Sequence, residues 1–200
     1  MLLPHAEVVE QQADSIARLA AGQRTQATGR VRLALPEGLA ELAIVPRLID
    51  LQRSQPGLAI DLVIGPALVD LVRREADIAM RFVRPVRGDL VAKKLADFEF
   101  GVFGRANLVA GDPPLATLPW ILLQDPEARF PETRWHNTYA STSAWMYTSS
   151  YTTLLAALQA GLGVGIISRL GARELGLTEL KTKLPPPPSF PLYLVTHRAV

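Results

Sequence analysis

Residues 30–66 read RVRLALPEGLAELAIVPRLIDLQRSQPGLAIDLVIGP, and their pattern indicates the fold class. Arg30–Leu35 alternates polar and apolar residues, which predicts a strand. Leu39–Gln55 has apolar residues three and four apart, which predicts a helix, and Leu58–Ile64 is an apolar run typical of a second strand. Turns with proline or glycine separate these elements: Pro36-Glu37-Gly38, Pro56-Gly57 and Gly65-Pro66. This order predicts two parallel strands joined by a right-handed crossover.

The same alternation continues along the chain. Ala67–Arg74 predicts a short helix and Asp77–Val83 a third strand, which makes a mostly parallel sheet. Sheets of this kind bind ligands at the carboxyl ends of their strands. Here those ends are Pro36–Gly38, Gly65–Ala67 and Arg81–Arg84.

The remainder of the chain predicts a second lobe. Leu90–Leu95 is a further strand, and Phe98–Gly104 could carry the chain out of the first sheet. The elements predicted beyond it are strands at Trp120–Leu123, Trp145–Thr148 and Val164–Ile167, an irregular stretch at Gln124–Ser143, and a helix at Tyr151–Ala160 capped by Ser149-Ser150. The last strand, Pro191–Thr196, has nothing after it to pack against this lobe, so we expect it back in the first sheet. The fold class is therefore α/β, with two lobes, two crossing strands and a cleft between the lobes.

Composition excludes several classes of protein. Of 200 residues, 48% are hydrophobic and 20% charged, which is enough to bury a core. The 21 basic and 19 acidic residues leave a net charge of +2, without a basic surface for nucleic acid. The absence of cysteine excludes disulfides, thiolate nucleophiles and cysteine metal sites. No signal peptide or membrane-length apolar run is present, so we expect a cytoplasmic protein without membrane contact.

Residues 2–25 predict a helix with coiled-coil spacing. The seam residues, separated by four and three, are Leu2, Ala6, Val9, Ala13, Ile16 and Ala20. Half of them are alanine, so an ordinary amphipathic helix is an equal alternative. The predicted organisation is a linker helix and linker at 1–28, a first lobe at 29–96 plus 189–200, and a second lobe at 97–188.

The ordered series of motifs resembles the effector domain of LysR-type transcriptional regulators. The matching segments, which span nearly the whole chain, are Gly29-Arg30-Val31-Arg32-Leu33-Ala34, Ile44-Val45-Pro46-Arg47-Leu48, Gln55-Pro56-Gly57-Leu58, Asp70-Leu71-Val72, Glu75-Ala76-Asp77-Ile78-Ala79-Met80-Arg81, Leu90–Leu95 and Ala160-Gly161-Leu162-Gly163-Val164-Gly165-Ile166. Each motif alone is weak, but their order is specific.

The resemblance implies a fold of the type 2 periplasmic-binding-protein kind and an allosteric function. A small-molecule effector would bind in the interlobe cleft. It would control the binding of promoter DNA, and so transcription, by changing the geometry of a homodimer or homotetramer. Residues 39–55 and 58–64 of one subunit would meet the second lobe of its partner. Promoter DNA would be bound only by an N-terminal winged helix-turn-helix that these residues do not include, so we expect a piece of a longer regulator. No cofactor is implied.

The cleft residues follow from the resemblance and from the strand ends. The candidate effector-binding set is Glu37, Gly38, Leu39, Gly65, Pro66, Arg81, Arg84, Gln124, Asp125, Ser149, Ser150 and Tyr151. Ser149 and Ser150 could contact a ligand or only cap a helix. Arg81 could bind a ligand, hold the hinge between the lobes, or pair with Asp77 or Asp89. Where many relatives have Ser or Thr, this chain has Gly38, Pro66 and Ala67, and Glu37 at the rim would repel an anion. These residues are therefore as consistent with a neutral, apolar or cationic effector as with an anionic one.

Metal and enzyme sites are not predicted. The three histidines, His5, His136 and His197, lack ligand spacing. Trp135-His136-Asn137 could line a pocket, but the aromatic stretch favours a surface loop packed by its own aromatic residues. Glu127 and Glu132 are expected as exposed loop carboxylates, which do not form a catalytic pair. The rival functions are a solute-binding protein for a transporter, which shares the fold, and an enzyme, for which no nucleophile or base stands in a recognisable setting.

Overall fold

The computed structural model describes residues 27–65, 76–85 and 90–198. The first lobe is built on a five-stranded sheet with the order β2-β1-β3-β10-β4. Its strands are β1 (Gly29–Leu35), β2 (Leu58–Ile64), β3 (Ile78–Arg81), β4 (Leu90–Phe98) and β10 (Phe190–His197). Strands β2, β1 and β3 are parallel, as predicted.

Two strands connect the lobes. Strand β10 lies antiparallel between β3 and β4, so the end of the chain returns to the first sheet, as predicted. Strand β4 leads directly into β5 (Phe100–Gly104), which is fully buried in the second lobe. The α/β fold with two lobes is therefore confirmed.

The second lobe contains two small sheets, β8-β5-β9 and β6-β7. Its strands after β5 are β6 (Ile121–Leu123), β7 (Met146–Thr148), β8 (Gly165–Ser168) and β9 (Thr178–Glu179). A parallel bridge between Trp120 and Val164 links the two sheets. The lobe's helices are α3 (Ala106–Val109), a 3-10 turn (Leu115–Thr117), α4 (Pro131–Tyr139), α5 (Tyr151–Gln159) and α6 (Arg169–Glu174).

The prediction of one continuous helix at Leu39–Gln55 is wrong, because the helical region begins earlier and is divided into segments of different type. The structure has α1 (Glu37–Leu39), a π-helical segment (Ala40–Ile44), a 3-10 turn (Val45–Arg47) and α2 (Leu48–Ser54). Pro46 lies at the junction, where its ring and missing N–H prevent a continuous α-helix. The wide π-helical segment carries Leu42 onto the second lobe.

The prediction of an irregular stretch at Gln124–Ser143 is also wrong, since α4 occupies its centre. Pro131 stands at the first helical position, where a proline is favoured. Trp135 and His136 are buried in this helix and do not form a surface loop. Glu132 belongs to the same helix and is only partly exposed, so it is not an exposed loop carboxylate.

Some predictions lie outside the described residues, namely the linker helix at 2–25, the helix at 67–74, and Pro66, Ala67 and Asp89. The limits of the linker and lobes stay a prediction. Among the described helices, none has the length and apolar character that crossing a membrane requires.

Candidate functional site

The carboxyl ends of the first lobe's parallel strands meet at one edge. Leu35 pairs with Ile64, so Pro36 and Gly65 lie level with each other just beyond the sheet. Ala34 pairs with Ala79, which places Arg81 at the same level. The predicted positions Glu37, Gly65 and Arg81 thus share an edge.

The second lobe has a matching edge. Strands β6 and β7 are parallel with Leu123 opposite Thr148, so Gln124 and Ser149 follow at the same level. Ser150 comes next and caps α5, because its Oγ accepts the backbone N–H of Thr153 at 3.2 Å. The cap predicted from sequence is confirmed.

The two edges touch through Glu37. Its Oε1 accepts from Thr152 Oγ1 at 2.7 Å and from Ser150 Oγ at 3.3 Å. Its Oε2 accepts from the backbone N–H of Tyr151 at 3.1 Å. From the sequence, Glu37 is expected as a free charge at the cleft rim that would repel anions. In the structure its carboxylate is bound at the N-terminus of α5, where the helix dipole favours negative charge.

Close packing surrounds this contact. A Cβ placed on Gly38 would lie 2.4 Å from Tyr151 Cε1, so only glycine permits this approach. Leu42 is buried among apolar residues of the second lobe, and a Cβ on Gly171 would lie 2.9 Å from its Cδ1. The first-lobe segment from α1 through the π-helical turn therefore packs directly on α5 and α6.

Tyr151 is a partly buried residue whose phenol is neutral. Burial raises its pKa to about 12, hydrogen bonding to Ser168 opposes this rise, and the charge of Glu132 adds to it. Tyr151 contributes an aromatic wall and a hydroxyl group to the junction, not a charge.

Asp125 holds its own loop. Its Oδ1 accepts the N–H of Arg129 at 2.9 Å and its Oδ2 that of Phe130 at 2.7 Å. Burial alone would raise the pKa of Asp125, but the two backbone hydrogen bonds, with help from Thr133 and Arg129, lower it overall. Both oxygens of this predicted effector contact therefore order the turn that begins α4.

Among the described residues, Glu132 is an unpaired acidic side chain near the second-lobe edge, where the sequence predicted an exposed loop carboxylate. Its Oε2 is buried and has no hydrogen-bond partner among the described residues. Burial raises its pKa, its own backbone N–H opposes the rise, and the charge of Asp125 adds to it. The charge of Glu132 in turn raises the pKa of Tyr151. The spacing of Glu132 and His136, four residues apart, was the feature of the sequence that could have indicated two polar side chains on one face of a helix.

His136 lies one turn further along α4 and is only 1% exposed. Burial lowers its pKa and a hydrogen bond with Asn137 opposes this, so the neutral imidazole is favoured. The ring packs edge-on against Trp120 with centroids 4.7 Å apart, and its Nε2 has no partner within the described part of the chain. His136 is a core residue that orients α4.

Replacing Glu132 with glutamine is expected to stabilise the protein at pH 7 and above by about 1 kcal/mol, since an unpaired buried charge is removed. The pKa of Glu132 is higher in the folded state than its usual value of 4.5. The protonated carboxyl therefore stabilises the fold fully below pH 4.5, and this stabilisation is lost as the pH rises through the pKa of the folded state. The advantage of the variant should therefore disappear near pH 4. Urea unfolding at pH 4, 6 and 8 measures this.

The matched control is Glu127→Gln, because Glu127 is an exposed carboxylate paired with Arg129. This variant should change stability little at any of the three pH values. An equal gain in both variants would show that net charge, and not burial of Glu132, is responsible.

The remaining predicted residues that the structure describes take no part in the contact between Glu37 and the start of α5. Gln124 is exposed, and its backbone N–H donates to Thr148 O at 2.8 Å. Arg84 and Ser149 are exposed, whereas Leu39 is buried in the first lobe's core. Among the residues that the structure describes, no group of three or more acidic or histidine side chains could hold a metal ion.

A comparison with protein families matches residues 24–199 to the family described as the LysR substrate binding domain. A curated relative, the Mau operon transcriptional activator of Paracoccus denitrificans, is 29% identical over 126 residues, or 63% of this chain and 44% of the activator. The chain thus aligns with less than half the length of that relative.

Solved structures share the fold. The regulatory domain of CrgA, a LysR-type transcriptional regulator from Neisseria meningitidis, aligns with a TM-score of 0.71 and 19% identity over 86% of this chain and 90% of that one. The AmpR effector binding domain from Citrobacter freundii aligns with a TM-score of 0.64 and 17% identity, covering 86% and 89% of the two chains.

Proposed function

Because the chain belongs to the family of LysR substrate-binding domains, we propose that it is the sensor of a LysR-type transcriptional regulator and binds a small-molecule effector between its lobes. The observation that carries the proposal is the meeting of two strand edges, where Glu37 contacts Ser150 and Tyr151 across the lobes. Ligand sites of open α/β sheets lie at such edges.

The proposed site is the predicted set at these edges. Ser150 and Tyr151 line it from the second lobe, and Gly65 and Arg81 from the first. The other proposed contacts are Glu37, Gly38, Leu39, Pro66, Arg84, Gln124, Asp125 and Ser149, of which Asp125 already accepts two backbone hydrogen bonds within its own loop. We propose binding and not catalysis, and the matched relatives are transcription regulators.

A thermal-shift screen of small metabolites tests the proposal. An effector at a hundred times its dissociation constant should stabilise the folded state by about 2.7 kcal/mol. That shift should be lost in Arg81→Ala and kept in Arg105→Ala, because Arg105 binds the carbonyl of Gln159 at the opposite end of α5. A ligand whose shift survives Arg81→Ala, or no ligand in a broad library, would argue against this site.

The regulatory output is proposed to pass through a two-fold dimer. On the first lobe, the edge strand β2 and helix α2 present Ile64 and Ile49, the latter 54% exposed. On the second lobe, Trp145 and Tyr147 are 57% and 53% exposed at strand β7. One apolar patch on each lobe suits an isologous contact in which each first lobe packs on the partner's second lobe. Further pairing would give a tetramer, and promoter DNA in the cytoplasm would be bound by an N-terminal domain beyond these residues.

Ile49→Asp is expected to raise the dimer dissociation constant at least 30-fold, because it places a charge in the centre of the proposed apolar contact. Sedimentation equilibrium over a range of concentrations measures this. Asp50→Ser, on the neighbouring position around the same helix, should leave the constant unchanged. A monomeric wild-type chain, or an equally tight Ile49→Asp dimer, would contradict the proposed surface.

A further inference from the structure

The Glu37 carboxylate is held in the way that a helix N-terminus holds a bound anion, and not as one partner of a surface ion pair. Both of its oxygens are engaged by the first turn of α5, one by two hydroxyl groups and the other by a backbone N–H. The donors lie in consecutive residues, Ser150, Tyr151 and Thr152. A helix N-terminus favours negative charge, and here a carboxylate from the other lobe supplies it.

The hydroxyl protons of this cluster have only a few acceptors within reach. Thr152 donates its only hydroxyl proton to Glu37 Oε1 at 2.7 Å. Ser150 therefore directs its proton either to Glu37 or to Thr152 Oγ1, which is 2.8 Å away, while its own oxygen accepts the N–H of Thr153. The backbone N–H of Tyr151, at the first helical position, has no acceptor within the helix, so Glu37 is its partner.

The backbone around Glu37 is shaped for this contact. Gly38 lies against the ring of Tyr151, where a Cβ would come within 2.5 Å of two ring carbons. Leu42, one turn further along, is buried in the second lobe beside Gly171. Apolar packing thus flanks the carboxylate and brings it to the helix end.

We propose that Glu37 is a built-in carboxylate ligand that holds the two lobes together without an effector. An external carboxylate could reach the end of α5 only by displacing it. The contact therefore sets the charge preference of the proposed cleft: an effector that leaves it intact offers a neutral or cationic group. The lobe contact itself exists without any effector, so it can be tested, and can fail, separately from the proposed function.

Hydrogen exchange of the Tyr151 amide, measured by NMR without effector, tests the proposal. In Glu37→Ala, exchange of this amide should become at least tenfold faster, and the radius of gyration from small-angle X-ray scattering should increase as the lobes separate. Glu41→Ala is the matched control, because Glu41 is an exposed carboxylate in the π-helical segment after α1. It should change neither quantity. Equal effects in the two variants, or unchanged exchange in Glu37→Ala, would overturn the proposal.

Rescue provides a second arm. Sodium acetate should restore slow exchange at Tyr151 in Glu37→Ala, whereas sodium chloride of equal ionic strength should not. In wild type, where the seat is filled, acetate should have no effect. Thr152→Val, which keeps Glu37 and removes one donor, should show a smaller acceleration, and it covers the case in which Glu37→Ala does not fold. No acceleration in a folded Thr152→Val, or equal rescue by chloride, would refute a carboxylate seat.

Discussion

Replacing Trp120 with alanine is expected to remove about 4 kcal/mol from the free energy of unfolding, the largest loss that one side chain of the second lobe should produce. Trp120 is completely buried, and its ring packs against His136. Its Nε1 donates to the carbonyl of Leu115 at 2.8 Å, so the substitution leaves a cavity and removes the shorter of two hydrogen bonds to that carbonyl, which also accepts the N–H of Leu118 at 3.3 Å. The melting temperature should fall by roughly 10 °C in a domain of this size.

Leu162→Ala is the control, because Leu162 is a large apolar residue that is half exposed. It should cost well under 1 kcal/mol, and urea unfolding of the two variants side by side compares them. If Trp120→Ala loses no more than Leu162→Ala, the core of the second lobe is not organised around Trp120.

Gly163→Ala is expected to destabilise the protein by about 3 kcal/mol, an unusual cost for one added methyl group. Its Cβ would lie 2.1 Å from the carbonyl oxygen of Pro119. That oxygen also accepts the N–H of Val164 at 2.9 Å, and Trp120 bridges to Val164 beside it. The clash is therefore with backbone that joins the two small sheets, and it cannot be relieved by turning a side chain.

Gly176→Ala separates this clash from the general effects of replacing glycine. Gly176 has a φ of +63° and nothing within 4 Å of an added Cβ. Its replacement should cost about 1 kcal/mol, the penalty of a left-handed conformation. Denaturant unfolding of both variants measures the difference, and a Gly163→Ala variant no less stable than Gly176→Ala would show that the sheets can move apart.

Local pattern was sufficient for most of the strands. Arg30–Leu35 and Leu58–Ile64 alternate or cluster their apolar residues between breakers, and both are strands, paired in parallel. The final strand was predictable as well, because Pro191–Thr196 had no partner nearby in the sequence. Helix α5 was predictable from the Ser150 cap and the glycines that follow it.

Helix α4 was not predictable in this way. The aromatic residues Trp135 and His136 suggested a loop, since no regular apolar period surrounds them. They form a helix because Trp135 donates to the carbonyl of Pro185 at 2.8 Å and His136 packs on Trp120. Contacts distant in the sequence decide this element, and they override its weak local preference.

The α/β class, the return of the last strand and the residues at the strand ends were predictable, because they follow from short-range periodicity and from the glycines and prolines that end each element. The roles of those residues depend on contacts between the lobes. Glu37 and Thr152 are 115 positions apart, and no local pattern reveals that a carboxylate will meet a helix end across two lobes. The charge of Glu37 pointed to repulsion of anions, whereas its position, set by Gly38 and Leu42, makes it the bound anion itself.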